Sequence, residues 1–129
     1  MATINLTSTI NSTGLTSDSI ALNILKQATV TTGGISRMST TAVVGSKTIL
    51  LAGADYPNPT ATSSVYAYIK NAGTTTIRLS VLNNTASNAE DEMSLAPGVW
   101  ALFPWDSVAN ITVYQTAAGT ALIEHGVFA

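Results

Sequence analysis

The feature that most constrains the fold is an alternation of apolar and polar residues that recurs along the chain and is cut each time by turn residues. Val65, Ala67 and Ile69 alternate with Tyr66, Tyr68 and Lys70; Ile77, Leu79 and Val81 alternate with Arg78 and Ser80. Successive side chains of a strand point to opposite faces, so a period of two describes a strand with one face buried. Ile111 and Val113 alternate with Thr112 and Tyr114 in the same way, and Ala121–Phe128 closes the chain as a further strand.

The N-terminal half carries the same period. Ile4, Leu6 and Ile10 share one parity, and Ile20, Leu22, Ile24, Ala28 and Val30 share another run of it. Ser17–Gln27 also offers a short helical reading, with Asp18 as cap and Ile20 and Ile24 on one face. Strand is preferred because the period of two continues past the point where such a helix ends. Thr32-Gly33-Gly34 is a hairpin signal that leads into a return run with Ile35, Met38, Ala42 and Val44. Gly45 and Ser46 then break the chain before Thr48–Ala52.

Turns separate the remaining runs. Gly53–Ser63 contains Pro57 and Pro59, which have no N–H to give to a sheet. Asn71-Ala72-Gly73, the polar loop Asn83–Glu92, Trp105-Asp106-Ser107 following Val99–Phe103 and Pro104, and Ala117-Ala118-Gly119 mark the others. Short strands at this regular spacing define an all-β fold: a single antiparallel β-sandwich or jelly-roll-like domain. Residues 1–17 are polar enough to form an arm or edge strand that orders against a neighbour. Residues 18–129 make up the sandwich.

Composition narrows the function. The chain has 129 residues, enough for one core without disulfides or metals, and 46% of them are hydrophobic. Twenty Thr and thirteen Ser stand beside only twelve charged residues. Charged side chains keep soluble proteins apart, so a β-rich surface with so few suits coverage by other subunits. The cations Lys26, Arg37, Lys47, Lys70 and Arg78 are spread singly. Nucleic acid and anionic membrane surfaces both need them clustered, and neither is expected as a partner. The N-terminus lacks the basic start and apolar core of a signal peptide, and Ile49–Ala54 is too short to span a bilayer. The expectation is a soluble protein made in the cytoplasm. The sequons at Asn5, Asn11, Asn83 and Asn110 then have no glycosylation role.

No residue pattern announces chemistry. With no Cys and one His, thiolate zinc sites and cysteine nucleophiles are excluded, and His125 has few partners to work with. Its neighbour Glu124 is expected on the opposite face of the strand, so the adjacency makes no dyad. His125 is therefore read as a histidine of the sheet. Glu90-Asp91-Glu92, with Asn88 upstream, offers oxygens to a calcium ion but lacks the Asp-x-Asp-x-Asp-Gly order, and is read as a solvated loop tip. No catalytic residue, metal ligand or cofactor is expected. The aromatics carry more meaning. Tyr66 and Tyr68 oppose the aliphatic face of their strand; Trp100 opposes Val99 and Ala101, with Trp105 just beyond Pro104. Such a row is core, a subunit interface rich in Tyr and Trp, or a platform for stacking sugars.

The stretch Leu95-Ala96-Pro97-Gly98-Val99-Trp100-Ala101-Leu102-Phe103-Pro104-Trp105 resembles a signature of small virion structural proteins of tailed bacteriophages. In these, a strand reads leucine, x, proline, glycine, x, aromatic or aliphatic, alanine, leucine. It is preceded by a strand similar to Val65–Asn71 and followed by a closing strand similar to Leu122–Phe128. The pattern is associated especially with podoviruses and other phages of marine bacteria and cyanobacteria, and the resemblance covers about the second half of the chain. It implies a β-sandwich capsid decoration (cement) protein, or another head or tail accessory component, without enzymatic activity. It transfers no site residues.

The expectation is thus a non-enzymatic virion protein, a homo-oligomer (trimer), that binds the major capsid protein or other virion proteins. Tyr66, Tyr68, Trp100 and Trp105 serve as its interface anchors. The alternative is a glycan-binding module or accessory component of a phage tail or head fibre.

Overall fold

A computed structural model describes residues 2–12, 20–30, 33–40, 47–56, 65–81 and 93–129. The described residues form ten β-strands, one 3-10 turn at Gly53–Asp55 and no α-helix. By internal contacts the chain divides into two units, Met1–Thr31 and Thr32–Ala129.

The first unit is a two-stranded antiparallel ribbon. Strands β1 (Ala2–Ser12) and β2 (Ile20–Val30) pair without interruption from Ala2↔Val30 to Ser12↔Ile20. Even-numbered positions oppose even-numbered ones, so the two apolar runs of the sequence fall on one side of the ladder. Asn5 and Gln27 meet on the other, where the Gln27 amide donates to Asn5 Oδ1 (3.3 Å).

The second unit is a sandwich of two four-stranded sheets. Its strands are β3 (Gly33–Thr40), β4 (Thr48–Leu51), β5 (Val65–Asn71), β6 (Ile77–Ser80), β7 (Met93–Leu95), β8 (Trp100–Trp105), β9 (Ile111–Gln115) and β10 (Ala121–Phe128). One sheet has the order β3-β10-β5-β8 and the other β4-β9-β6-β7. The pairings are nested: β6 with β7, β5 with β8, β4 with β9, β3 with β10, all antiparallel. That is one long hairpin wound up until β5 also pairs with β10 and β6 with β9. The result is the jelly roll, which leaves only two short edges per sheet.

The expected strand of 65–70 alternates as its sequence does. Val65, Ala67, Ile69 and Asn71 are buried, and Tyr66, Tyr68 and Lys70 are half-buried on the other side. The inward residues join Ile77, Leu79, Leu95, Ile111, Val113, Ile123 and Val127 in one core shared by both sheets. Each fully buried Ile or Leu contributes roughly 1.5–3 kcal/mol relative to exposure.

Several polar residues are buried as well, among them Ser80, Gln115 and Asn71. Asn71 has no exposed surface. Its Nδ2 donates to Thr75 O (2.8 Å) and to Leu95 O (2.9 Å), and its Oδ1 accepts from the Gly73 amide (3.0 Å). Its main chain donates to Val99 O (3.0 Å) and accepts from the Gly98 amide (2.8 Å). Asn71 belongs to one sheet and Leu95 to the other, so this residue fastens the two layers together. The segment beyond Leu95 turns between the sheets. Val99 N donates to Ala96 O (3.0 Å) around Pro97 and Gly98, and Gly98 has φ 80°. Pro then Gly at the centre, with positive φ at the Gly, is a type II turn.

Three expectations are corrected. Thr32-Gly33-Gly34 does not close a hairpin between the runs on either side: β2 pairs with β1, and β3 with β10. Gly33 instead opens β3 opposite Phe128, where an added Cβ lies 3.0 Å from the phenyl ring. The run Ile20–Val30, expected in the sandwich of 18–129, belongs to the ribbon unit, and the sandwich unit starts at Thr32. Pro104 lies inside β8 and does not end it. It is tolerated because β8 is an edge strand. The expected loop Asn83–Glu92, the prolines Pro57 and Pro59, and Ala42 and Val44 lie outside the described residues.

Replacing Asn71 by Ala removes the amide donor from the buried Leu95 O and the half-buried Thr75 O. The expected loss is about 2–4 kcal/mol in urea unfolding. Asn71→Asp loses more at neutral pH, because it turns a carboxylate toward the same carbonyls; a loss under about 1 kcal/mol for both variants would show that Asn71 does not join the layers.

Candidate interaction face

The pairing registers of β3, β10, β5 and β8 build the outer face of their sheet row by row. Partners in an antiparallel ladder share a face, so Gly33, Phe128, Tyr66 and Pro104 form one row. Ile35, Gly126, Tyr68 and Leu102 form the next, and Arg37, Glu124, Lys70 and Trp100 the third. Two rows are apolar or aromatic; charge is confined to the third.

Trp100 is 56% exposed and Ile35 60%. Tyr66, Tyr68, Leu102 and Phe128 are half-buried by their neighbours on the face, and Pro104 is exposed. Gly126 keeps the middle row flat. A Cβ there would collide with Gly34 O and stand 3.3 Å from Ile35 Cγ1, so a side chain would push β3 away from β10.

The charged row is organised around Glu124. Arg37 Nε donates to Glu124 Oε2 (3.0 Å), with a second approach from the Arg37 Nη2 at 2.9 Å, and Tyr68 OH donates to Glu124 Oε1 (3.0 Å). These hydrogen bonds, first from Arg37 and then from Tyr68, hold the Glu124 carboxyl below its ordinary value of 4.5. Tyr68 is pushed above its ordinary value of 10.0 by burial and by donating to the carboxylate. Tyr68 is thereby fixed in position, which lowers the ordering cost of any contact it makes.

The predicted residues separate. Tyr66, Tyr68 and Trp100 lie together on this face. Trp105 does not, and its expected role as an anchor is corrected. It is 5% exposed, faces the core, donates from Nε1 to Ala109 O (3.1 Å) and meets the Tyr56 ring edge-on at 5.5 Å. Trp100 and Trp105 differ in number by an odd count, and alternation along β8 places them on opposite sides. Glu124 and His125 likewise point to opposite faces, as expected. His125 lies across the sheet from Ile69 and Ser36 and lines an open cleft with Tyr56, Gly33 and Gly34. Burial holds its imidazole below its ordinary value of 6.5.

Sequence reasoning missed Ile35, Leu102, Phe128 and the Arg37–Glu124–Tyr68 chain. Arg37 and Glu124 are 87 residues apart, and only the β3–β10 register joins them. Among the described residues no group of three or more His, Asp or Glu is placed to hold a metal ion. The loop Glu90-Asp91-Glu92 lies outside them. The face offers flat aromatic surface, a fixed hydroxyl and one ion pair. Such a surface is of the kind that makes contacts by displacing water.

Two pH windows follow from the shifts. The folded state favours neutral His125, so stability falls as pH drops below 6.5 toward the lowered folded value. It also favours ionised Glu124, whose contribution is complete above 4.5 and is lost as pH falls through its depressed value. In melts between pH 7 and pH 3, His125→Gln is expected to flatten the upper part of the profile and Glu124→Gln the lower. Profiles parallel to the wild type in both windows would contradict the assignment.

No protein-family model and no curated protein matches the chain. Among solved structures it is similar to a chain of the Bacillus endospore appendages, described as forming a novel family of disulfide-linked pili. The two are 19% identical over 80% of this chain and 89% of that one, with a TM-score of 0.43.

Proposed function

We propose that the protein is a non-enzymatic structural subunit of a phage virion, a decoration protein that seats on the head shell and stabilises it. The observation that carries this reading is the outer face of β3-β10-β5-β8, where Tyr66, Tyr68 and Trp100 stand in adjacent rows beside Ile35, Leu102 and Phe128. Apolar and aromatic surface gathered on one sheet face is characteristic of protein contact. Tyr and Trp are enriched among residues that dominate such contacts.

Two further features support it. The Leu95–Trp105 stretch that resembles phage virion proteins forms the turn that carries the chain from one sheet to the other and places Trp100 on this face. Jelly rolls recur in viral capsid domains, although lectins share the fold, so this support is by analogy. The partner is the major capsid protein or another virion protein, and the place of action is the assembled particle.

The glycan-binding reading rests on the same tyrosines and Trp100, since an exposed indole beside a fixed tyrosine hydroxyl is also suited to stack on a sugar ring. Co-sedimentation with head shells of the encoding phage separates the two. The expected result is that the protein pellets with the shells, and that Trp100→Ala combined with Tyr66→Ala weakens binding tenfold or more. A glycan array should remain blank. Failure to bind shells, together with a glycan signal that Trp100→Ala abolishes, would replace this reading with the lectin-like one.

A further inference from the structure

The ribbon of β1 and β2 carries an apolar side that nothing in its own two strands covers. On one parity stand Ile4, Leu6 and Ile10, and the register sets Ala28, Leu22 and Ile24 among the positions opposing this parity. Ile10 is 52% exposed and Ile24 54%. The other parity holds Thr3, Asn5, Thr7 and Thr9 opposite Thr29, Gln27, Leu25 and Asn23, polar apart from Leu25. A single two-stranded ribbon is at best marginally stable in water, because one layer cannot bury its apolar side. A second apolar layer at about 10 Å completes it.

We infer that this second layer is the ribbon of another copy of this chain, packed apolar side to apolar side. Charge argues for like meeting like: Lys26 is the only charged residue in either strand. A nucleic acid, an anionic lipid surface or a charged protein patch has nothing there to recognise. Shape argues the same way, since an identical ribbon supplies a face of equal length, width and twist, the self-complementarity of a two-fold contact.

Area sets the strength. Strands of 11 residues, at about 3.4 Å per residue and about 4.8 Å between strands, give a face of roughly 350 Å² per copy. Two faces exclude roughly 700 Å², short of the roughly 1,200 Å² of a stable interface. Ser8, opposite Ile24, interrupts the apolar surface further. The association is therefore reversible and grows with concentration, as suits a subunit that remains soluble until it is gathered on a particle. It does not depend on the partner being a head shell.

Sedimentation velocity of the full chain at about 5 μM and about 200 μM tests this, a span that covers weak association. The expected result is a shift from monomer to a discrete oligomer with rising concentration. Ile10→Lys combined with Ile24→Lys should remain monomeric at both concentrations with an unchanged thermal midpoint. Thr7→Lys combined with Gln27→Lys, on the polar side, should behave as wild type. If the lysine pair lowers the midpoint, Ile10→Ser with Ile24→Ser repeats the test. A wild type that is monomeric throughout, or oligomers that survive the apolar-side variants or fail equally with the polar-side pair, would overturn the inference.

Discussion

The sandwich depends on the hydrogen bonds of Asn71. Two stacked sheets are held mainly by apolar contact, which is strong but not directional and permits one layer to slide on the other. Asn71 sets the offset. Its amide reaches from the end of β5 to Leu95 O in the facing sheet, while its carbonyl oxygen and main chain hold the turns at Gly73 and Gly98. Every polar group of the side chain is used, so a buried amide that is costly when unpaired becomes a locating pin. The position of Trp100 follows from it. The turn that starts β8 hangs from Asn71, and β8 is the strand that brings Trp100 beside Lys70.

Much of this was legible in the residues. The alternation in Val65–Lys70 fixed both the strand and its two faces, because parity is local and needs no partner. The turn at Asn71-Ala72-Gly73 is readable for the same reason, since its backbone geometry selects the residue type, whereas Pro97-Gly98 is read only as part of a strand signature and proves to be a turn. The pairings were not readable. Gly33 and Gly34 look like a hairpin turn, yet in the fold they open β3, and Gly33 makes room there for Phe128. Trp105 looked outward beside Trp100 until the core claimed it through Tyr56 and Ala109. That Glu124 and His125 face opposite ways is legible locally, but the partners of Glu124, Arg37 and Tyr68, come from strands far away in the chain.

The two apolar surfaces answer to different rules. The ribbon concentrates Ile and Leu on one parity and, Leu25 apart, polar residues such as Thr and Asn on the other. The sheet face mixes large aromatics with a rigid ion pair and a hydrogen-bonded hydroxyl, a pattern for discriminating one surface from another. A chain with so few charges places an ion pair, Arg37 to Glu124, where orientation matters. The Thr-rich remainder stays hydrated without imposing a strong field on its surroundings.

The nested winding of the jelly roll has a temporal consequence. The innermost pair, β6 with β7, brings together segments close in sequence, whereas β3 and β10 join the two ends of the domain. Closing longer loops is slower, so the strands zip from the centre of the hairpin outward. Of the eight sandwich strands β10 is also the last to be synthesised. The outer face therefore does not exist on a nascent or half-folded chain: Glu124, Gly126 and Phe128 fill the middle column between β3 and β5. Completion of that face doubles as a report that the domain is finished, since Ile35 and Tyr68 share a row only once Gly126 stands between them.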